Sequence, residues 1–198
     1  VIAKPSEVTP MTAYLFSKVC IKAGLPKGVL NILHGSGHLI GQEIVEHPDI
    51  KAISFTGGTK TGKIISKTAS SLLKKVSLEL GGKNPIIVFD DCDYKEMLKS
   101  TIKSSFGNQG QICLCGERIF VQESIYDKFK KDFIREAKKL KIGDPLKSTT
   151  NQGSIVSKEH YDKILSYFNA AKDSGAKFIL GGSSKKVRGD CSNGWFIE

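Results

Sequence analysis

No apolar run in these 198 residues approaches the roughly 20 needed to cross a bilayer, which excludes a helical membrane span. No basic, apolar and small-residue succession of the secretion type opens the chain. Cysteines are few and irregularly placed: Cys20, Cys92, Cys113, Cys115 and Cys191. An odd count without regular spacing argues against a disulfide framework and for a reducing compartment, so a cytoplasmic location is expected. Cys113-Leu114-Cys115 lacks a second pair or a His cluster, which speaks against zinc. There is no repeat of fixed period and no low-complexity stretch, so a solenoid or a disordered linker is not indicated. Acidic residues are in deficit, leaving a net charge of +10, yet no nucleic-acid motif accompanies the excess. From Tyr126 to Lys141 the lysines alternate with Phe129, Phe133, Ile134, Ala137 and Leu140 at helical spacing, the pattern of a solvated helix face. We therefore expect no nucleic-acid or membrane partner, and at most a general attraction for anionic cofactors or substrates.

What the chain does have is alternation. Val1-Ile2-Ala3 reads as a short strand. A helix follows with Thr9 as cap and Pro10 at its first position, stopping at Gly24. Val29 to Leu33 is a strand, and Gly35-Ser36-Gly37 turns into a helix reaching His47. Ile50 to Phe55 is a strand, Lys63 to Leu73 a helix and Val76 to Leu80 a strand. After Gly82 the pattern restarts. Pro85 to Phe89, Arg118 to Gln122 and Ala176 to Leu180 read as strands. Tyr94 to Phe106, Ile125 to Leu140 and Ser157 to Ser174 read as helices, with polar loops at Asp144 to Gly153 and Ser183 to Asn193. Strands alternating with helices imply βαβ units and a parallel sheet, hence an α/β fold. The glycine pair Gly81-Gly82 marks the expected boundary between two α/β domains.

Two dense motifs carry the chemistry: Glu79-Leu80-Gly81-Gly82-Lys83-Asn84-Pro85 and Asn108-Gln109-Gly110-Gln111-Ile112-Cys113. One holds a carboxylate and the other a thiol, each among small residues that let a backbone or ligand approach. A thiolate attacks an aldehyde carbon to give a thiohemiacetal. Loss of hydride leaves a thioester, which water hydrolyses with help from a base. Cys115 lacks such a context and reads as a small packing residue, with a reversible disulfide to Cys113 as a minor alternative. Asn108 either shapes the pocket around the thiol or caps the turn. Lys4-Pro5-Ser6-Glu7 follows the first strand, and a Lys and a Glu at this spacing suit the vicinal hydroxyls of a ribose; a plain strand-to-helix turn is the bland alternative. Phe55-Thr56-Gly57-Gly58-Thr59 combines a strand, a glycine turn and a helix start, whose amides can cradle a pyrophosphate or merely admit the helix. Gly35-Ser36-Gly37 with Gly41 is not the G-x-G-x-x-G fingerprint, and reads as a turn that lets a cofactor near the sheet.

Taken together, these motifs, their order and their separation resemble the aldehyde dehydrogenase superfamily over the whole chain. The resemblance implies part of a Rossmann-type cofactor domain at residues 1–80, followed by part of an α/β catalytic domain at residues 81–198. It implies Cys113 as nucleophile, with its own backbone N–H among the oxyanion donors, and Glu79 as general base. Lys4, Glu7, Gly37, Gly57, Gly58, Leu80 and Gly81 would contact the cofactor, and Glu7, which would repel a 2′-phosphate, favours NAD over NADP. Relatives often carry Ser or Glu where this chain has Gly58, so pyrophosphate binding would lean on the backbone. Glu79 also favours hydrolysis to a free acid over transfer of the acyl group to coenzyme A. The run from Gln111 to Val121 looks most like the branch that oxidises muconic semialdehydes, with betaine-aldehyde-type and broad-range branches close. The resemblance further implies a small-molecule aldehyde as substrate, a homodimeric or homotetrameric parent, and a middle segment of such an enzyme whose isolated chain lacks a complete site. A truncated, non-catalytic paralogue that only binds partners or nucleotide is the rival reading.

Overall fold

Residues 1–198 are all described by the computed structural model. They divide into two units, Val1–Gly81 and Gly82–Glu198.

In the first unit, β1 (Ile2–Ala3) lies parallel to β2 (Asn31–Ile32), with Ile2 opposite Asn31. Between them runs α1 (Met11–Lys22), for which Pro10 is the N-cap; no side chain caps this end, so the hydroxyl expected of Thr9 is not used. Its other end closes as expected at Gly24, which adopts φ +78°. Gly24 N–H bonds the Ile21 carbonyl at 3.1 Å and Leu25 N–H bonds that of Cys20 at 3.0 Å. This is a Schellman closure, which needs a left-handed residue at that point. The helix expected after Gly37 is instead a π-helical turn, Gly37–Gly41, continued by α2 (Gln42–Glu46).

The longer pair is β3 (Ala52–Gly57) and β4 (Lys75–Leu80), parallel over six positions, with α3 (Thr59–Ser71) as the crossover. Gly62 of α3 has no room for a side chain, because a Cβ there would stand 2.7 Å from Leu80 Cδ2. Ala69, fully buried, continues that face. Lys74 is buried without a carboxylate: its Nζ donates to the carbonyls of Val45 (2.5 Å) and His47 (2.6 Å) at the end of α2, the latter shared with the Ile50 N–H.

In the second unit, β5 (Asn84–Val88) lies parallel to β6 (Gly116–Val121), with α4 (Tyr94–Phe106) between them in sequence. Asp93 caps α4 by accepting from the N–H groups of Lys95 and Glu96. α5 (Tyr126–Ala137) packs on α4 through Phe106–Phe133, with ring centroids 5.9 Å apart, and within α5 Phe129 stacks on Phe133 at 5.4 Å. Tyr94 donates to Asp132 at 2.8 Å, and burial together with that carboxylate pushes its phenol up to about 12. α6 (Lys158–Asp173) is capped by Ser157.

One expected strand is corrected. Ala176 to Leu180 forms no ladder; instead the Phe178 ring meets Phe168 edge-on at 5.7 Å. Phe178, Ile179 and Leu180 line an apolar cleft of about 750 Å³ with Phe106, Phe129 and Phe133. Apolarity there serves a wall rather than a sheet. The polar loop after Gly182 supplies β7 (Ser184–Lys185), which pairs antiparallel with β8 (Phe196–Ile197), a pairing that the local sequence does not announce. No helix is long and apolar enough to cross a membrane.

Candidate active site

Lys4 and Glu7 follow β1, and the turn after β2 comes to them. Lys4 Nζ donates to the carbonyls of Pro5 (2.7 Å) and Gly35 (3.1 Å) and lies 3.4 Å from Glu7 Oε2. Gly37 N–H donates to Glu7 Oε1 at 3.3 Å. The backbone amides of Glu7 and Gly37, with Lys4 beside them, hold the Glu7 carboxyl below its usual range. Thus Lys4, Glu7 and Gly37 form one cluster at the carboxyl ends of a parallel pair. Ser36, in the same turn, buries a hydroxyl oxygen without any partner. An orphaned polar atom beside an exposed carboxylate fits a site that receives a polar ligand.

Gly57, Gly58, Glu79, Leu80 and Gly81 gather at the carboxyl end of β3 and β4, where Thr56 pairs with Glu79 and Gly57 with Leu80. The two glycines differ in kind. A Cβ on Gly57 would be 2.5 Å from the Phe55 ring, so a side chain there must push that ring aside. A Cβ on Gly58 would meet nothing within 4 Å, so the space beyond it is open. Gly58 is also the N-cap of α3, so the first amides of that helix, which have no intrahelical acceptors, get no side-chain acceptor from the cap either. The Glu79 side chain is exposed, and Leu80 lies against Gly62.

Cys113 sits in the second unit on a tight turn between α4 and β6. Ile112 and Cys115 close it, with Cys115 N–H bonding the Ile112 carbonyl at 3.0 Å. The side chain of Cys113 is exposed, whereas Cys115 is buried with its thiol 3.6 Å from the Gly107 carbonyl. Upstream, Asn108, Gln109 and Gly110 all take positive φ (49°, 57° and 74°). For the two non-glycine residues this costs on the order of 1 kcal/mol each. Asn108 acts through its backbone, its carbonyl accepting from Gln111 N–H at 3.0 Å.

Side-chain amides hold this loop down. Gln111 Oε1 accepts from Val156 N–H (3.2 Å) and Gln152 donates to the Phe106 carbonyl (2.8 Å); with the Gln109 amide assigned so that its nitrogen faces the Asn108 carbonyl, its oxygen accepts from Gly153 N–H (2.7 Å). Asn84 Nδ2 donates to the carbonyls of both Cys113 (2.6 Å) and Cys115 (2.9 Å). The motif reading included Asn84 but gave it no part. Only its place inside the Glu79 to Pro85 string could have drawn attention to it.

Residues 1–198 match the model of the aldehyde dehydrogenase family from end to end. The chain belongs to the aldehyde dehydrogenase family. This aldehyde dehydrogenase chain is 48% identical over 181 residues to mouse 2-aminomuconic semialdehyde dehydrogenase, covering 91% of this chain and 37% of that protein. It is 48% identical over 183 residues to the cytosolic 10-formyltetrahydrofolate dehydrogenase of Xenopus laevis, covering 92% of this chain and 20% of the relative. Among solved structures, betaine aldehyde dehydrogenase from Staphylococcus aureus in complex with NAD+ superposes with a TM-score of 0.93 at 40% identity. That match covers all of this chain and 39% of the other. The fold is therefore that of an α/β aldehyde dehydrogenase, and the chain spans well under half the length of these relatives.

Proposed function

We propose that this aldehyde dehydrogenase chain serves the NAD-dependent oxidation of a small aldehyde to a carboxylic acid, with residues 1–80 belonging to a cofactor domain and 81–198 to a catalytic domain. The observation that carries this reading is the exposed Cys113 thiol on a turn fixed from several sides. Cys113 attacks the aldehyde carbon, and its own N–H helps hold the oxygen of the resulting thiohemiacetal. NAD, when bound, supplies the hydride acceptor that allows a thioester to form on the cysteine. Glu79 takes a proton from water, which attacks the thioester, releases the acid and returns the thiol.

Glu7 and Lys4 would hold the adenosine ribose. Gly37, Gly57, Gly58, Leu80 and Gly81 would let the backbone meet the rest of the cofactor. The partnerless Ser36 hydroxyl and the open space over Gly58 support that assignment. A muconic semialdehyde is the proposed substrate, supported by the similarity to the mouse enzyme. The parent would be a homodimer or homotetramer of the cytoplasm.

The test is NADH formation by the full-length protein. Aldehyde-dependent NADH that disappears in Cys113→Ala supports the reading; turnover that survives the substitution refutes it. Formation of an acyl-CoA instead of free acid would refute the role of Glu79. A betaine aldehyde oxidised much faster than a muconic semialdehyde would refute the substrate.

A further inference from the structure

We propose that Asn84 is a positioning residue for the nucleophile: its side-chain amide sets the turn that presents Cys113. This rests on the reading of Cys113 as nucleophile. Three observations converge on it.

The amide of Asn84 spends both of its protons on the carbonyls that flank the turn, Cys113 at 2.6 Å and Cys115 at 2.9 Å. The register of the β5–β6 pair slips at this residue, Asn84 facing Gly116 while Pro85 faces Arg118, so Glu117 is left over on β6. An irregularity of this kind re-aims a side chain, and here it accompanies the one that reaches the nucleophile turn. The neighbours of Asn84 are themselves tied to β6: Lys83 Nζ pairs with Glu117 at 2.7 Å, and Arg118 Nε donates to the Lys83 carbonyl at 3.0 Å.

The strand start is therefore fixed independently of the turn, and the amide transfers that fixity to Cys113. Holding the Cys113 carbonyl sets the peptide plane on the carboxyl side of the nucleophile. The Ile112–Cys115 bond closes the other side of the turn. A thiol so held meets the aldehyde carbon without first losing the freedom of its own loop.

Two variants of the full-length protein test this. Asn84→Leu keeps the approximate volume and removes both donors without adding charge; Asn84→Ser keeps one donor on a shorter arm. In Asn84→Leu the proposal expects kcat to fall about tenfold or more, the loss seen when reacting groups are misplaced, with KM for NAD unchanged. Asn84→Ser should recover part of that loss. Hydrogen exchange of the Cys115 amide should quicken in Asn84→Leu and less so in Asn84→Ser.

A folded Asn84→Leu with wild-type kcat and exchange overturns the proposal. So does an Asn84→Ser as slow as Asn84→Leu, or a loss that raises KM for NAD in proportion, since both signify general damage. If Asn84→Leu does not fold, Asn84→Ser decides alone, and wild-type kcat with wild-type exchange in it overturns the proposal. A wild-type protein that oxidises no aldehyde refutes the function, and the exchange measurement still decides whether Asn84 holds the turn.

Discussion

The two units hold their functional backbone by different physics. In Val1–Gly81 the cluster of Lys4, Glu7 and Gly37 is organised by charge, with an ammonium bonded to carbonyls and a carboxylate collecting amides. In Gly82–Glu198 the turn of Cys113 is organised by neutral amides from Asn84, Gln111 and Gln152. Exposed ionic contacts weaken with salt and acid, and neutral hydrogen bonds do so far less. A cofactor site has reason to keep charge, because its ligand brings hydroxyls and phosphates.

The strongest way to sharpen this contrast is Cys113→Ala. In the full-length protein it should cut aldehyde oxidation by roughly a thousandfold or more while NAD affinity stays within about twofold; a parallel loss of NAD affinity would break the separation. Glu79→Gln should slow steady turnover about a hundredfold but leave the first burst of NADH, and mass spectrometry should find the acyl group held on Cys113.

Next in size is a pair of glycine substitutions. Gly116→Ala must displace Ile86, whose Cδ1 and Cγ1 the new Cβ would overlap, and should cost about 1–3 kcal/mol in a denaturant titration. Gly58→Ala enters open space at φ −74° and should cost less than about 0.5 kcal/mol, although the same methyl lies where the cofactor is proposed to pass.

Glu7→Gln should raise KM for NAD about tenfold and make it less sensitive to salt. Its pH signature has a definite sign. The Glu7 carboxyl is depressed in the folded protein, so its contribution is complete above the ordinary Glu value of 4.5 and is lost only as pH falls through the lower folded value. NAD affinity that already declines between pH 6 and pH 5 would point to a different group.

The elements legible in the sequence were those fixed by local signals. α4 runs from Tyr94 to Phe106 as read from the sequence, the structure adding its Asp93 cap, and α1 stops at Gly24 because a left-handed residue is needed there. The α/β alternation and the family followed from motifs whose residues are contiguous. What escaped was decided at a distance. Phe178-Ile179-Leu180 has the composition of a strand but finds Phe168 and an apolar cleft in place of a partner strand. Ser184-Lys185 becomes a strand only because Phe196-Ile197 returns to it. Asn84 shows its part only once the turn 29 residues downstream is folded against it. Lys4 and Glu7 were legible as a pair, whereas the amide of Gly37 bonded to that carboxylate was not.

The run of left-handed residues at Asn108 and Gln109 bears on how this protein would respond to directed evolution. A screen for heat resistance would sample Gln109→Gly, which relieves the strain at φ 57° but gives the unfolded chain more freedom. That change deletes the amide that reaches Gly153 and leaves the segment before the thiol with one tether fewer. Any survivor that carries it should be slower, so selection should be run for turnover at high temperature rather than for survival of the fold.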